Sequence, residues 1–218
     1  MSIYDDFSAM LPQCCNLAAV PIPALAQREK QFFASFMPDA ASAIVMAHHV
    51  STEDEWTWYA PAGKEDRCDA DDHLRGLCEA VSSRLMQDGC HASMVKYPAQ
   101  SGLQFRFIAE AAGLGKIGVN AFLFHPVWGP WVHLRVMATT AELDIRPELS
   151  GDQLCDSCGL CIYECPAHAI SQDSFEGLLC RSYRAARGEY VPQGPLGLLP
   201  YCLRCVWICP KGNQAVRR

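Results

Sequence analysis

The chain has no run of about 18 consecutive apolar residues, so a membrane-spanning helix is not expected. Its first ten residues carry Asp5 and Asp6 and lack a basic stretch leading into a long apolar one, so a secretory signal is not expected either. Positive charge is also short. Eighteen Lys and Arg face 24 Asp and Glu, for a net charge of −6. A broad basic footprint for nucleic acid is therefore absent, apart from a local stripe at Arg181, Arg184 and Arg187. These absences predict a cytoplasmic protein with no membrane partner and no expected nucleic-acid partner.

Cysteine is abundant: thirteen in 218 residues. Without an export signal, such a count points to metal binding or catalysis rather than to a disulfide framework, and the odd total argues against complete intrachain pairing. The distribution is uneven. Cys14, Cys15, Cys68, Cys78 and Cys90 are scattered over the first 150 residues, and the other eight fall between Cys155 and Cys209. The Pro, Ser and Gly between Pro147 and Asp152 suggest a boundary there. The expected domains are 1–148 and 149–218.

The first part reads as mixed α/β. Residues 43–50, AIVMAHHV, read as a mostly buried strand. Residues 71–88 read as an amphipathic helix with Leu74, Leu77, Cys78, Val81 and Leu85 at helical spacing and Gly89 as its stop. Strands are expected at 91–97, 121–124 and 131–139, and helices at 27–36 and 104–112.

The chemistry lies in two cysteine motifs. The first, Cys155-Asp-Ser-Cys158-Gly-Leu-Cys161-Ile-Tyr-Glu-Cys165-Pro166, has the spacing C-x2-C-x2-C-x3-C-P. Three thiolates at intervals of three can hold three corners of an iron–sulfur cube, and the fourth is directed to a neighbouring cluster. The second, Cys202-Leu-Arg-Cys205-Val-Trp-Ile-Cys209-Pro210, is a half-motif lacking one upstream cysteine, which Cys180 can supply. One [4Fe–4S] cluster then takes Cys155, Cys158, Cys161 and Cys209. The other takes Cys165, Cys180, Cys202 and Cys205. Two zinc sites are the alternative, since zinc also accepts four cysteines. The three-cysteine run and the Cys-Pro ending of both motifs favour iron–sulfur.

Gly113-Leu-Gly115-Lys-Ile-Gly118 matches G-x-G-x-x-G. A dinucleotide loop would follow a strand and open a helix. This one follows an expected helix and leads toward a strand, so that reading is rejected. Two readings remain: glycines needed for sharp turns, or close approach of backbone to a flat cofactor.

Ala112 to Asn120, the run Phe124-His-Pro-Val-Trp-Gly129-Pro-Trp131, Thr139 to Leu143 and the two cysteine motifs together resemble epoxyqueuosine reductase, a family related to the reductive dehalogenases. Segment 106–210 carries the resemblance, and residues 43–98 follow it loosely. The resemblance implies an α+β protein, with a nitroreductase-like α/β domain that binds cobalamin and a bacterial dicluster ferredoxin-like module. It makes Gly113, Leu114, Gly115, Ile117, Gly118 and Asn120 corrin neighbours. The family's acidic signature before the AGLG helix is replaced here by Ala99 to Phe105, although Arg106 is kept, and Lys116 stands where the family usually has Trp. The aspartate that serves the family as proton donor is thus missing. Tyr97 is a candidate to donate in its place, with Arg106 beside it. With the acidic charge, these departures make tRNA an unexpected substrate.

Other residues carry weaker signals. His48 and His49 follow a strand and would point to opposite faces, so at most one faces a pocket. Cys14-Cys15 reads as a redox pair, an extra metal site or simply buried thiols. Trp56, Trp58 and Tyr59 form an aromatic patch suited to a cofactor face or to a core. Three functions compete. In the first, an oxidoreductase passes electrons from a donor protein or reductant through two clusters to a corrinoid or small-molecule site in the N-terminal domain. The second is a dicluster electron-transfer or reactivating protein that docks a partner such as a corrinoid protein. The third is a corrinoid-binding module without substrate chemistry.

Overall fold

The computed structural model describes residues 7, 9–56, 68–186 and 202–212. Trp58, Tyr59 and Arg187 lie outside the described residues. The chain forms two compact units. The first draws on 1–49, 70–114 and 133–149, and the second on 50–69, 115–132 and 150–218. The second unit thus starts its last segment close to the boundary expected from the Pro/Ser/Gly cluster, and also takes two earlier stretches. The structure is mixed α/β. No described helix is long and apolar enough to cross a membrane.

The first unit is built on a four-stranded sheet of order β1-β2-β6-β3. Its strands are β1 (Cys15–Pro21), β2 (Ser42–His49), β3 (Ala92–Met94) and β6 (Val132–Thr139). The pairs β1–β2 and β3–β6 are antiparallel. Among the described residues, the helices α1 (Gln27–Phe36), α2 (Asp69–Gln87), the single turn α3 (Pro98–Ser101) and α4 (Phe105–Ala111) accompany them. Ser42 through His48 of β2 are all buried, as expected for a strand covered on both faces. Ile44 and Met46 pack with Leu17 and Ala19 of β1, Met137 of β6 and Leu74, Cys78, Val81 and Leu85 of α2. Period-two alternation turns Ala43 and Val45 the other way, and α4 packs on β1 and β2.

The expected strands at 43–50 and 131–139 and helices at 27–36, 71–88 and 104–112 are all found within two residues of their expected ends. The strand expected at 91–97 is shorter as a regular element, although the Val95 amide still bonds the Val136 carbonyl at 2.9 Å. Strand β1 was not expected. Its run of Leu17, Ala18, Ala19 and Val20 is buried throughout, so it has no period-two signal, and prolines bracket it at 12 and 21.

One polar group interrupts the apolar stripe of α2. Asp71 shares that stripe with Leu74 and Cys78 and is 1% exposed. Arg135 of β6 grips both its carboxylate oxygens, Nε to Oδ1 at 2.6 Å and Nη2 to Oδ2 at 2.5 Å, and His133 Nε2 donates to Oδ1 at 3.0 Å. Burial raises the Asp71 pKa. The hydrogen bonds and charges of His133 and Arg135 outweigh it and hold the carboxyl at about 2, below its ordinary 3.8. A folded pKa below the unfolded one means the stabilisation is complete above the unfolded value and is lost as pH falls toward 2. Its size is about 2–3 kcal/mol. Asp71→Asn should therefore lower stability by about 3–5 kcal/mol near neutral pH, because it leaves a buried guanidinium without its counter-charge. The gap to wild type should narrow as the pH falls toward 2, as read from urea midpoints across a pH series.

Candidate metal centre

The second unit carries a short hairpin, β4 (Lys116–Ile117) and β5 (Leu123–Phe124), and three helices, α5 (Leu160–Tyr163), α6 (Gly177–Ala186) and α7 (Arg204–Trp207). The sequence repeat of the cysteine motifs is a structural repeat. In each motif a one-turn helix begins one residue before the middle cysteine, Cys161 in α5 and Cys205 in α7. Each helix ends before the next cysteine, Cys165 or Cys209, and a proline follows that removes a donor and stops the turn. Gly159 enters α5 with φ of 81°, a left-handed conformation that glycine adopts without strain. Helices α5 and α7 pack on each other.

Two cavities result, both partly open to solvent. Cys155, Cys158, Cys161 and Cys209 line the first, beside Val119, Asn120 and Phe124. Cys165, Cys180, Cys202 and Cys205 line the second, beside Phe175, Tyr183 and Arg184. The structure therefore brings together the same two quartets that the spacing suggests, including the exchange of Cys165 and Cys209 and the recruitment of Cys180. Four thiols at each cavity, three of the first quartet from a run spaced at intervals of three, are a donor set that fits an iron–sulfur cube.

The thiols are crowded. Burial pushes Cys205 up strongly, and Cys202, Cys161, Cys180 and Cys165 push it further. Burial likewise raises Cys209 to about 11, with Cys158, Cys155 and Cys161 adding to the shift. Cys161 and Cys180 are raised, again first by burial. Such thiols stay protonated until a cationic centre offsets the charge. Backbone donors are in place for the charged form: the Ala169 amide lies 3.4 Å from Cys165 Sγ, and the Lys211 amide bonds Cys209.

The glycine loop serves this site. Gly113, with φ of 85°, closes α4. A Cβ on Gly115 would fall on the Phe124 carbonyl, and one on Gly118 on the Phe124 ring and 3.1 Å from the Cys155 Cβ. Asn120 is buried, donates to the Cys205 carbonyl at 3.2 Å and accepts from the Phe122 amide at 3.2 Å. Leu114 is fully buried, whereas Gly113, Ile117 and Gly118 keep some surface. The spaces left by Gly115 and Gly118 are filled by Phe124, and the loop's demands are those of the hairpin and the cysteine cavity.

Of the remaining candidates, Trp56 stacks on Trp131 at 5.6 Å and is buried, which makes it core. The Tyr97 ring stacks on His133 at 5.7 Å, lies 5.2 Å from the Arg135 guanidinium and meets Phe105 edge-on. It thus caps the Asp71 network. Arg106 has its Nε buried without a hydrogen-bond partner, and burial pushes its guanidinium pKa down. The Asp71–His133–Arg135 network was not anticipated, although an acid three residues before Leu74 on an apolar stripe signals a buried partner.

No family model matches the chain. It is 32% identical over 119 residues to an epoxyqueuosine reductase of Staphylococcus aureus, a match covering 51% of this chain and 30% of that protein. The chain spans about a third of the length of the first curated relatives it matches. In fold it is similar to epoxyqueuosine reductase from Streptococcus thermophilus, with a TM-score of 0.66 at 13% identity, covering 100% of this chain and 67% of that one. It is also similar to an epoxyqueuosine reductase solved with an epoxyqueuosine-modified tRNA stem loop, with a TM-score of 0.64 at 17% identity, covering 97% of this chain and 66% of that one.

The two hairpin glycines should differ in their tolerance of a methyl group. Gly115→Ala meets stiff backbone and should cost about 2–4 kcal/mol. Gly118→Ala meets a ring that can shift and should cost about 1–2 kcal/mol. Urea midpoints of the two variants, purified under identical conditions, check the order.

Proposed function

We propose that this chain, similar in sequence and fold to the epoxyqueuosine reductases, is an iron–sulfur oxidoreductase with two [4Fe–4S] clusters in a ferredoxin-like module. Cys155, Cys158, Cys161 and Cys209 would hold one cluster and Cys165, Cys180, Cys202 and Cys205 the other. The observation that carries the reading is the sorting of these eight cysteines into two cavities along the quartets expected from spacing. Bound clusters supply one-electron transfer, with potentials set by hydrogen bonds to sulfur and by solvent exposure. The chain's own contribution is to offer the Ala169 and Lys211 amides to Cys165 and Cys209 and to fix the Cys205 carbonyl through Asn120.

The electron acceptor is the second part of the proposal. The resemblance implies a nitroreductase-like N-terminal domain with a corrinoid acceptor, and a bound cobalamin would supply a cobalt centre that takes up electrons singly. In that domain Arg106 offers a buried, unsatisfied donor, which suits an anionic or strongly accepting group. Tyr97 would position the neighbouring groups through its contacts with His133 and Arg135. The solved relative with a tRNA stem loop makes RNA a substrate to test, against the net charge of −6.

Anaerobically reconstituted protein should hold about eight iron and eight sulfide per chain. Cys180→Ser should lower iron toward about four, because Cys180 is the ligand remote from either motif. Two zinc ions and no sulfide would overturn the proposal. Titrating the reconstituted protein with cobalamin decides the acceptor. A change in the visible spectrum on binding supports an acceptor within this chain, and its absence supports electron delivery to a docked partner.

A further inference from the structure

The first unit holds a second, separate set of metal-ligating side chains. Cys14, Cys15, His48 and His73 each bring one ligand atom to a point where all four lie within 4.8 Å of one another. We propose that these residues form a mononuclear zinc site.

The geometry follows from strand pairing. Cys15 opens β1 and is the direct cross-strand partner of His48 in β2. Facing residues on one side of an antiparallel pair hold their Cβ atoms about 5 Å apart, and here Cys15 Sγ and His48 Nδ1 are 3.4 Å apart. Cys14 Sγ lies 4.0 Å from Cys15 Sγ. His73, from the first turns of α2, lays its ring beside that of His48 with centroids 4.9 Å apart. Tetrahedral zinc with Zn–S of about 2.3 Å and Zn–N of about 2.0–2.1 Å requires S···S near 3.8 Å and S···N near 3.5 Å. The observed 4.0 Å between the two sulfurs and 3.4 Å from sulfur to nitrogen match these within a few tenths of an ångström.

The ligands are held in place before any ion arrives. The Cys15 amide bonds the Pro12 carbonyl at 2.9 Å, and the His49 amide bonds the Cys14 carbonyl at 2.8 Å. These bonds fix the backbone of both cysteines, which lets two adjacent residues turn toward one point. Cys15 and His48 are buried, Cys14 is half-buried and His73 is exposed. An ion can therefore enter past His73, whose side chain can turn onto it.

Two thiols and two imidazoles are a borderline-soft set that selects zinc over calcium or magnesium. Binding one ion releases the two thiol protons to solvent, and the product is neutral: two positive charges against two thiolates. With four protein ligands the site is closed, so its role is structural. It ties the turn before β1, the end of β2 and the start of α2 together, two residues beyond Asp71.

The test uses the full chain, reconstituted with iron and sulfide under anaerobic conditions, then loaded with zinc and desalted. Wild type should carry about one zinc per chain in addition to its iron. His73→Ala removes an exposed side chain and Cys14→Ser a half-buried one. Each should weaken zinc binding at least about tenfold in chelator competition while leaving iron content unchanged. Cobalt(II) in place of zinc should give a thiolate-to-cobalt charge-transfer band that falls by about half in Cys14→Ser, since the band scales with the number of coordinating thiolates. Absence of zinc from wild type, unchanged zinc affinity in both variants, or zinc that rises only as iron falls would overturn the site. Because iron and zinc are counted together, failure of the cluster reading and failure of this one give different results.

Discussion

Eight thiols packed into one small part of the chain are the constraint around which the second unit is arranged. Burial and mutual proximity hold Cys161, Cys180, Cys205 and Cys209 protonated, and Cys205 shows the effect most strongly. Charge can be carried there only beside a cationic centre. The local structure follows: one-turn helices that present a cysteine each, prolines that stop them, and glycines at 115 and 118 that let the hairpin close over Phe124 beside Cys155. Asn120, buried with its side chain between the Cys205 carbonyl and the Phe122 amide, ties the hairpin to the second motif.

The first unit follows a different rule. Its core is apolar and built on β2, covered on both faces, and its polar groups are few and paired. Asp71 is held by Arg135 and His133, and Tyr97 lies over both of its partners. This places Tyr97, expected as a proton donor, in a structural setting as well. Arg106 differs in that its buried Nε has no hydrogen-bond partner. A buried donor left unsatisfied costs on the order of 1–3 kcal/mol, so Arg106 is the first-unit residue most in need of a ligand group.

Similarity to the epoxyqueuosine reductases rests on matched segments covering about a third of the first curated relatives, and on fold likeness at low identity. It supports the iron–sulfur reading of the cysteines without deciding the substrate. The departures that the resemblance implies, from the replaced acidic signature to Lys116, fall between Ala99 and the glycine loop itself, while the cysteine spacing is kept throughout.

The amino-acid sequence by itself determined the periodic elements and the cysteine quartets. Leu74, Cys78, Val81 and Leu85 mark α2 through helical spacing, and the C-x2-C-x2-C-x3-C-P run limits which thiols can share a cube. Both are local patterns, set by the reach of a few residues of backbone. Only the tertiary structure decided that β1 is a strand, since a run buried on both faces has no alternation to read. It also decided that Gly115 and Gly118 make room for Phe124. And it brought Cys14 and Cys15 to His48, two weak local signals, and added His73, which carried no signal of its own, through cross-strand register and helix placement that link residues more than thirty positions apart.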